Sequence, residues 1–454
     1  MKNTKLRQHP LQRAGRRVLT GILCTVLLTG TAAGGLTGCA RKKQAVTITF
    51  KVPTLAMNCV TRPDVKEAYD IFEEATKDFA AQYKDADVTF RLIKFDLAEE
   101  KEYIPDTFDT ADAPDLLYED FFNMGTHIYT GRVIPLDDVI DDRLRADVLP
   151  AYWDMSKADG RTYMLPFLAR QNVLGYHRSM LRAAGLDRFV RDDEAVASWS
   201  LAEWEEVLSG LREKLPENCY ALSMYAANEQ SDTHTMTWLR SHGSSFFDAD
   251  GNFHLNTPEG IAALRWLKDN YDKGYYPPNC ENLVARDCGK LFWNNQLAIK
   301  LLNGPSEDAN DPDVGLVNFP SLDGKGTATA FVTGFEIFDN GDAAKIRAAK
   351  DFLRFFYGTE KYLDYSAGNM PVCSSVAEKY ESAIYRLKAF QDNAGQVVDF
   401  MHNNPNWRGV RSVFYPNIQD LLTGARTPEE VAEHLDAECN AAIEEGRRNG
   451  RLHA

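Results

Sequence analysis

"AVTITFKV" (residues 45–52) alternates Val46, Ile48 and Phe50 with Thr47 and Thr49, the period of a strand with one buried face. A helix is expected next in "VKEAYDIFEEATKDFAAQY" (65–83), where Tyr69, Phe72, Ala75, Phe79 and Tyr83 recur at helical spacing. "DVTFRLIKF" (87–95) reads as a second strand and "DLLY" (115–118) as a short third one. Strand, helix, strand in this order decides the fold class: an α/β chain with a parallel, doubly wound sheet.

Toward the C-terminus helix starts recur. "SLAE" (200–203) is a capping box, "TPEG" (257–260) puts proline at the first helical position, and "TPEE" (427–430) does both. Ile261, Leu264, Leu267 and Tyr271 form one stripe that Gly274 closes, and Val431, Leu435, Cys439 and Ile443 form another. These stripes predict packing helices rather than sites. The composition is even, with no low-complexity tract and no repeat of solenoid period, and the length implies two to three domains, best met by two compact lobes.

Toward the N-terminus, Lys2, Lys5, Arg7, Arg13, Arg16 and Arg17 precede an apolar run, "VLTGILCTVLL" (18–28), and a small-residue stretch (29–38). That is the order of a secretory signal, and its apolar core is short and diluted by Gly and Thr for a stable span. "LTGC" (36–39) resembles the bacterial lipobox. The resemblance implies that residues 1–38 are a lipoprotein signal peptide, that Cys39 is lipidated, and that 39–45 form a lipid-anchored linker; a free thiol late in an ordinary signal is the competing reading. Acyl chains would hold the chain at the extracytoplasmic face of the cell membrane at ~0.8 kcal/mol per buried CH₂. The basic residues after Cys39 could rest on anionic headgroups.

Charge excludes one class of partner. The chain has 51 basic and 66 acidic residues, net −15, and without the six signal cations the balance is −21, against nucleic acid and its phosphates. The six cysteines beyond Cys24 and Cys39 show neither CxxC nor zinc spacing, so no metal is expected. Cys280 and Cys288 are open to bridging, with buried small hydrophobes as the other reading. "DADG" (248–251) has its glycine too early for a calcium loop and reads as a hairpin turn. HExxH, GxSxG, Walker A and GxGxxG are all absent, so no cofactor and no catalysis are expected. A surface glycoside hydrolase is the competing enzyme reading, since two carboxylates about 5–10 Å apart suffice.

Several landmarks occur together in one order. They are "APDLLYEDFFNMGTHIYTGRVIPLDDVI" (113–140), "GRTYMLPFLARQNVLGYHRSMLRAAGLD" (160–187), "GSSFFDADGNFHLNTPEGIAALRWLKDNYDKGY" (243–275), "LAIKLLNGPSEDANDPDVGLVNFPSLDGKGTATAFVTGFEIF" (297–338) and "NPNWRGV" (404–410). Together they resemble the family 1 extracellular solute-binding proteins, receptors of ABC sugar importers that include maltodextrin-binding protein. The resemblance implies a two-lobed periplasmic-binding-protein-like fold of class II, its lobes joined by three hinge crossings near 167–172, 330–334 and 370–373. The first lobe would take 46–168 plus 331–371 and the second 169–330 plus 372–454. It also implies a monomer that delivers its solute to ABC permease subunits driven by a cytoplasmic ATPase.

Sugar recognition needs flat apolar faces for the C–H side of the ring and planar polar groups for the hydroxyls. Glu119, Asp120 and Phe121 match the family's first-lobe binding loop, with a helix N-cap and a packing aromatic as the alternative. Arg170 and Gln171 fall in the first crossing, where two long polar side chains are costly unless something binds them; an inter-lobe salt bridge is the alternative. Asn228 and Glu229 fall in the loop that carries second-lobe contacts, or in an exposed turn. Trp238 lies on a helix where core packing competes, and Trp407 follows Asn and Pro in loop-like surroundings, where the family places a stacking aromatic; Arg408 beside it is a weaker candidate. One departure concerns "NGPSED" (303–308): the family commonly has tryptophan near Ser306, whereas here Glu307 and Asp308 follow it. That argues against a maltodextrin and toward another sugar, with a polyamine-like, amino-sugar or glycerol-phosphate type of solute as alternatives. An acidic pair would favour the cationic ones.

Overall fold

The computed structural model describes residues 43–95, 104–305 and 311–452; the signal segment, Cys39 and Glu307 lie outside them. From Lys43 onward the chain packs as one compact unit.

The opening segment follows its pattern. Strand β1 (Ala45–Pro53) is succeeded by helix α1 (Ala68–Gln82) and strand β2 (Asp87–Phe95), which pairs with β1 in parallel from Ala45 opposite Asp87 to Pro53 opposite Phe95. Strand β3 (Leu116–Asp120) adds in parallel on the other side of β1. Phe72, Ala75 and Phe79 of α1 are buried as the spacing predicts, and Ala68, Ile71 and Thr76 complete the face while Tyr69 and Tyr83 lie at its half-buried margins. Phe50, Phe72 and Phe335 meet at ring separations of 5.1–6.2 Å, and such pairs add about 0.5–1.5 kcal/mol each beyond their burial.

The sheet then departs from the all-parallel expectation. Strand β4 (Leu165–His177) leads through β5 (Val196–Ala197), helix α2 (Leu201–Lys214), β6 (Tyr220–Leu222), α3 (Ser231–Arg240), α4 (Pro258–Asp272) and α5 (Ala285–Trp293). Next come β7 (Leu297–Asn303), β8 (Val314–Val317), β9 (Thr329–Ile337), α6 (Ala343–Gly358), β10 (Met370–Pro371), α7 (Trp407–Thr423) and α8 (Pro428–Leu452). The sheet order is β2-β1-β3-β9-β4-β8-β5, with β10 and β7 also on β4 and β6 on β7. β9 is antiparallel to both β3 and β4, and β4 is antiparallel to β7, β8 and β10. The sheet is mixed because β4 and β9 are long strands that enter and leave its parallel parts, a role no local periodicity specifies.

β4 is the hub. Its residues 165–172 pair with β9, residues 168 and 169 with β10, and residues 172–177 with β7 and β8. Twelve of its thirteen residues are buried, and Arg170 alone is exposed.

The capping signals hold. Ser200 and Glu203 cap each other across the start of α2; Thr257 accepts the Gly260 amide ahead of Pro258; Thr427 and Glu430 form the reciprocal pair before α8. Each such cap contributes about 1 kcal/mol. "DADG" is a turn in which Asp248 accepts the amides of Asp250 and Asn252, with Gly251 at φ 73°.

Candidate ligand-binding site

A cavity of about 450 Å³ opens where β4, β7 and β10 meet. Arg170 enters it from β4, Lys300 and Asn303 from β7, Ser223 and Tyr225 from the segment after β6, and Asn58 and Asn369 from the loops after β1 and before β10. Among the described residues the Arg170 guanidinium makes no hydrogen bond or ion pair, while its backbone is held in the ladder opposite Phe331. Tyr225 is stacked on His234 at 4.9 Å, and Ser223 Oγ lies 3.3 Å from His234 Nε2. Burial pushes His234 down to about 3, so its imidazole is neutral and serves as a fixed support behind the wall.

From Arg170 a row of side chains extends along the sheet. Phe331 of β9 is its direct partner across the antiparallel ladder, so both project on one face. Phe122 packs on Phe331 at 5.1 Å, and the guanidinium of Arg411 in α7 lies 5.4 Å from the Phe122 ring centre. Arg411 Nε is 3.1 Å from the buried Asp232 carboxylate, and Arg411 Nη2 donates to the Glu229 carbonyl at 3.3 Å. Two flat rings therefore lie between two planar polar forks.

Behind the row lies a buried charged cluster. His127 Nδ1 is 2.7 Å from Glu336 Oε2, and Asn123 Nδ2 donates to Glu119 Oε1 at 2.5 Å. Burial, reinforced by the charge of Asp120 and opposed by His127, pushes Glu119 up to about 8. Burial alone would lower His127, but the charge and hydrogen bond of Glu336 outweigh it and raise the imidazole. Glu119 is therefore predominantly protonated at neutral pH, beside the His127–Glu336 pair.

The structure distributes the sequence-predicted residues unevenly. Arg170 reaches the cavity, whereas Gln171 is fully buried on the opposite face, donating to the Phe390 carbonyl at 3.0 Å and accepting from Asn393 at 2.8 Å. Successive strand residues point to opposite faces, so these two cannot share a ligand. Asp120 is an N-cap that accepts the Phe122 amide at 3.1 Å, Phe121 packs inward near Phe400, and Glu119 is buried in the charged cluster. Asn228 is half-buried and accepts the Gln230 amide, and Glu229 is exposed, contributing its carbonyl to Arg411.

Neither tryptophan offers a face. Trp238 is fully buried, stacked on Trp266 at 4.9 Å and edge-on to Trp204 at 5.1 Å. Trp407 is 1% exposed and is the first residue of α7, not part of a loop, because Asn406 caps that helix by accepting the Gly409 amide. Phe122, Phe331, Asp232 and Arg411 were not legible as a set. Phe121 and Phe122 are identical in sequence, and only the turn capped by Asp120 sends the first inward and leaves the second half-buried.

Residues 62–362, about two thirds of the chain, match the family described as bacterial extracellular solute-binding protein. A relative from Brucella abortus (strain 2308), named only as a binding protein, is 22% identical over 387 residues, spanning 82% of this chain and 89% of its own. Among solved structures, the cyclic α-maltosyl-1,6-maltose binding protein of Arthrobacter globiformis superposes with a TM-score of 0.68 at 20% identity, over 88% of this chain and 100% of that one. The sugar-binding protein MalE of Xanthomonas citri gives 0.68 at 16%, over 89% and 98%. An ABC transporter solute-binding protein of Thermotoga lettingae, bound with α-D-tagatose, gives 0.63 at 18%, over 87% and 99%. These likenesses establish the mixed α/β, two-lobed periplasmic-binding fold, and the match along the sequence goes further: the chain belongs to the bacterial extracellular solute-binding protein family.

Proposed function

We propose that this chain is the receptor of an ABC importer, lipid-anchored at the extracytoplasmic face through Cys39, that captures a carbohydrate by hinge closure and passes it to permease subunits driven by a cytoplasmic ATPase. The observation that carries the carbohydrate reading is the row from Arg170 through Phe331 and Phe122 to Arg411, in which two apolar faces lie between two planar donors. Structures of the same fold whose names specify a maltosyl oligosaccharide or tagatose as ligand support it. The lobes are taken as 46–168 plus 331–371 and 169–330 plus 372–454, a division supported by the change of β4's partners from β9 and β10 to β7 and β8. A monomeric binder without turnover fits this role.

Ligand that binds the closed state better shifts the population toward it. Small-angle scattering of the purified protein should therefore show compaction with a saturating sugar from a mono- and oligosaccharide panel. A bound sugar that leaves the dimensions unchanged would contradict hinge closure, and release of hydrolysis products would replace the receptor by a glycoside hydrolase. Sugar at 100 times its Kd should add ~2.7 kcal/mol of stability, which a thermal-shift screen detects.

A further inference from the structure

The charged side chains on the described wall of the cavity are Arg170 and Lys300, both cations; no Asp or Glu lines it. That is unexpected by composition, because the chain carries 66 acids against 51 bases. The remaining ionisable groups there add no negative charge: burial pushes the Cys288 thiol up to about 12 and raises the Tyr225 phenol as well. Asn58, Ser223, Asn303 and Asn369 supply neutral polar groups.

The two cations are placed differently. Arg170 is the one exposed position of a thirteen-residue strand and offers its planar fork of donors to the cavity. Lys300 is only 8% exposed, with its ammonium 5.5 and 5.8 Å from the ring centres of Phe292 and Trp293; it has partners of its own and contributes a fixed positive charge. Hydroxyls of a neutral sugar are commonly served by groups that both donate and accept, and they do not need a cation on two walls. Arginine and lysine are donors only, and their fields add at an acceptor carrying charge.

Resting on the receptor reading above, we propose that the solute carries an oxyanion, a carboxylate or phosphate borne on a sugar, and that Arg170 receives it in two-pronged fashion while Lys300 adds positive potential from β7. The row beyond Arg170 then holds the neutral part of the ligand against Phe331 and Phe122. The cationic preference read from the sequence rests on Glu307 and Asp308, which lie outside the described residues.

Calorimetry on the purified protein with D-glucuronate, D-glucose 6-phosphate, D-glucose, D-glucosamine and spermidine tests it. Either anion should bind at least ten-fold tighter than glucose, and the better of the two identifies the oxyanion. Arg170→Gln should abolish that preference while leaving the melting temperature unchanged, any loss of glucose affinity being smaller than the loss for the anion, and Lys300→Met should reduce the preference in part. Equal or tighter binding of glucose or glucosamine, or a preference for an anion that survives Arg170→Gln, overturns the anion site and leaves the carbohydrate receptor standing. Binding of spermidine alone overturns both. Absence of either anion at millimolar concentration overturns the anion site.

Discussion

Arg170 on β4 and Phe331 on β9 stand directly opposite each other across an antiparallel ladder, so a guanidinium and an aromatic ring share one face of the sheet. The two residues are 161 positions apart in the chain, and only the pairing of these strands makes them neighbours. Phe122 and Arg411 extend the pair into a row.

Phe122 and Phe331 are half-buried, so their truncation should affect binding more than folding. Phe331→Ala is expected to weaken sugar binding by roughly ten-fold or more, about 1.4 kcal/mol, with a melting temperature lowered by only a few degrees. Calorimetry alongside thermal unfolding checks the split; an unchanged affinity would remove Phe331 from the site.

Trp238 and Trp407 should behave in the opposite way. Trp238 is buried among aromatic rings and Trp407 is buried against Phe400, and Trp→Ala at either position should cost about 3–5 kcal/mol of stability in denaturant titrations. Trp238→Phe should restore part of the loss, and the folded fraction should retain ligand affinity.

Arg411 neutralises a buried carboxylate. Arg411→Met should destabilise by about 3 kcal/mol, because Asp232 is 2% exposed and loses its cation. Adding Asp232→Asn should recover most of that loss, a coupling measured by a double-mutant cycle.

Glu119 gives the protein a pH dependence of definite sign. Its carboxyl is raised from 4.5 to about 8 in the folded protein, so the native state binds the extra proton throughout that window. The stability associated with the protonated group is complete below 4.5 and is lost as pH rises through 8, with a slope of at most about 1.4 kcal/mol per pH unit. The raised His127 acts in the same direction. Melting temperature should fall between pH 5 and about 8.5, and Glu119→Gln should flatten that fall; an unchanged profile in the variant would remove Glu119 as its source.

The sequence by itself determined the local elements, because their causes are local. Alternation of Val46, Ile48 and Phe50 made β1, the stripe through Phe72 and Phe79 made α1, and Ser200 with Glu203, Thr257 with Pro258, and Thr427 with Glu430 began three helices. The family was legible too, in the order of several weak motifs spread along the chain. Of the site, Arg170 was legible as a long polar residue in a segment otherwise suited to burial.

Tertiary structure decided the rest. Consecutive residues of a strand face opposite ways, so Arg170 met the cavity while Gln171 was fixed to Phe390 and Asn393. A single side-chain cap turned Phe121 inward and left Phe122 on the row. Long-range strand pairing made β4 and β9 antiparallel and brought Phe331 beside Arg170, and helix packing set Arg411 against Asp232. Which of two like side chains faces a ligand depends on the direction of a strand or turn within the folded whole, and that direction is set by partners far away in sequence.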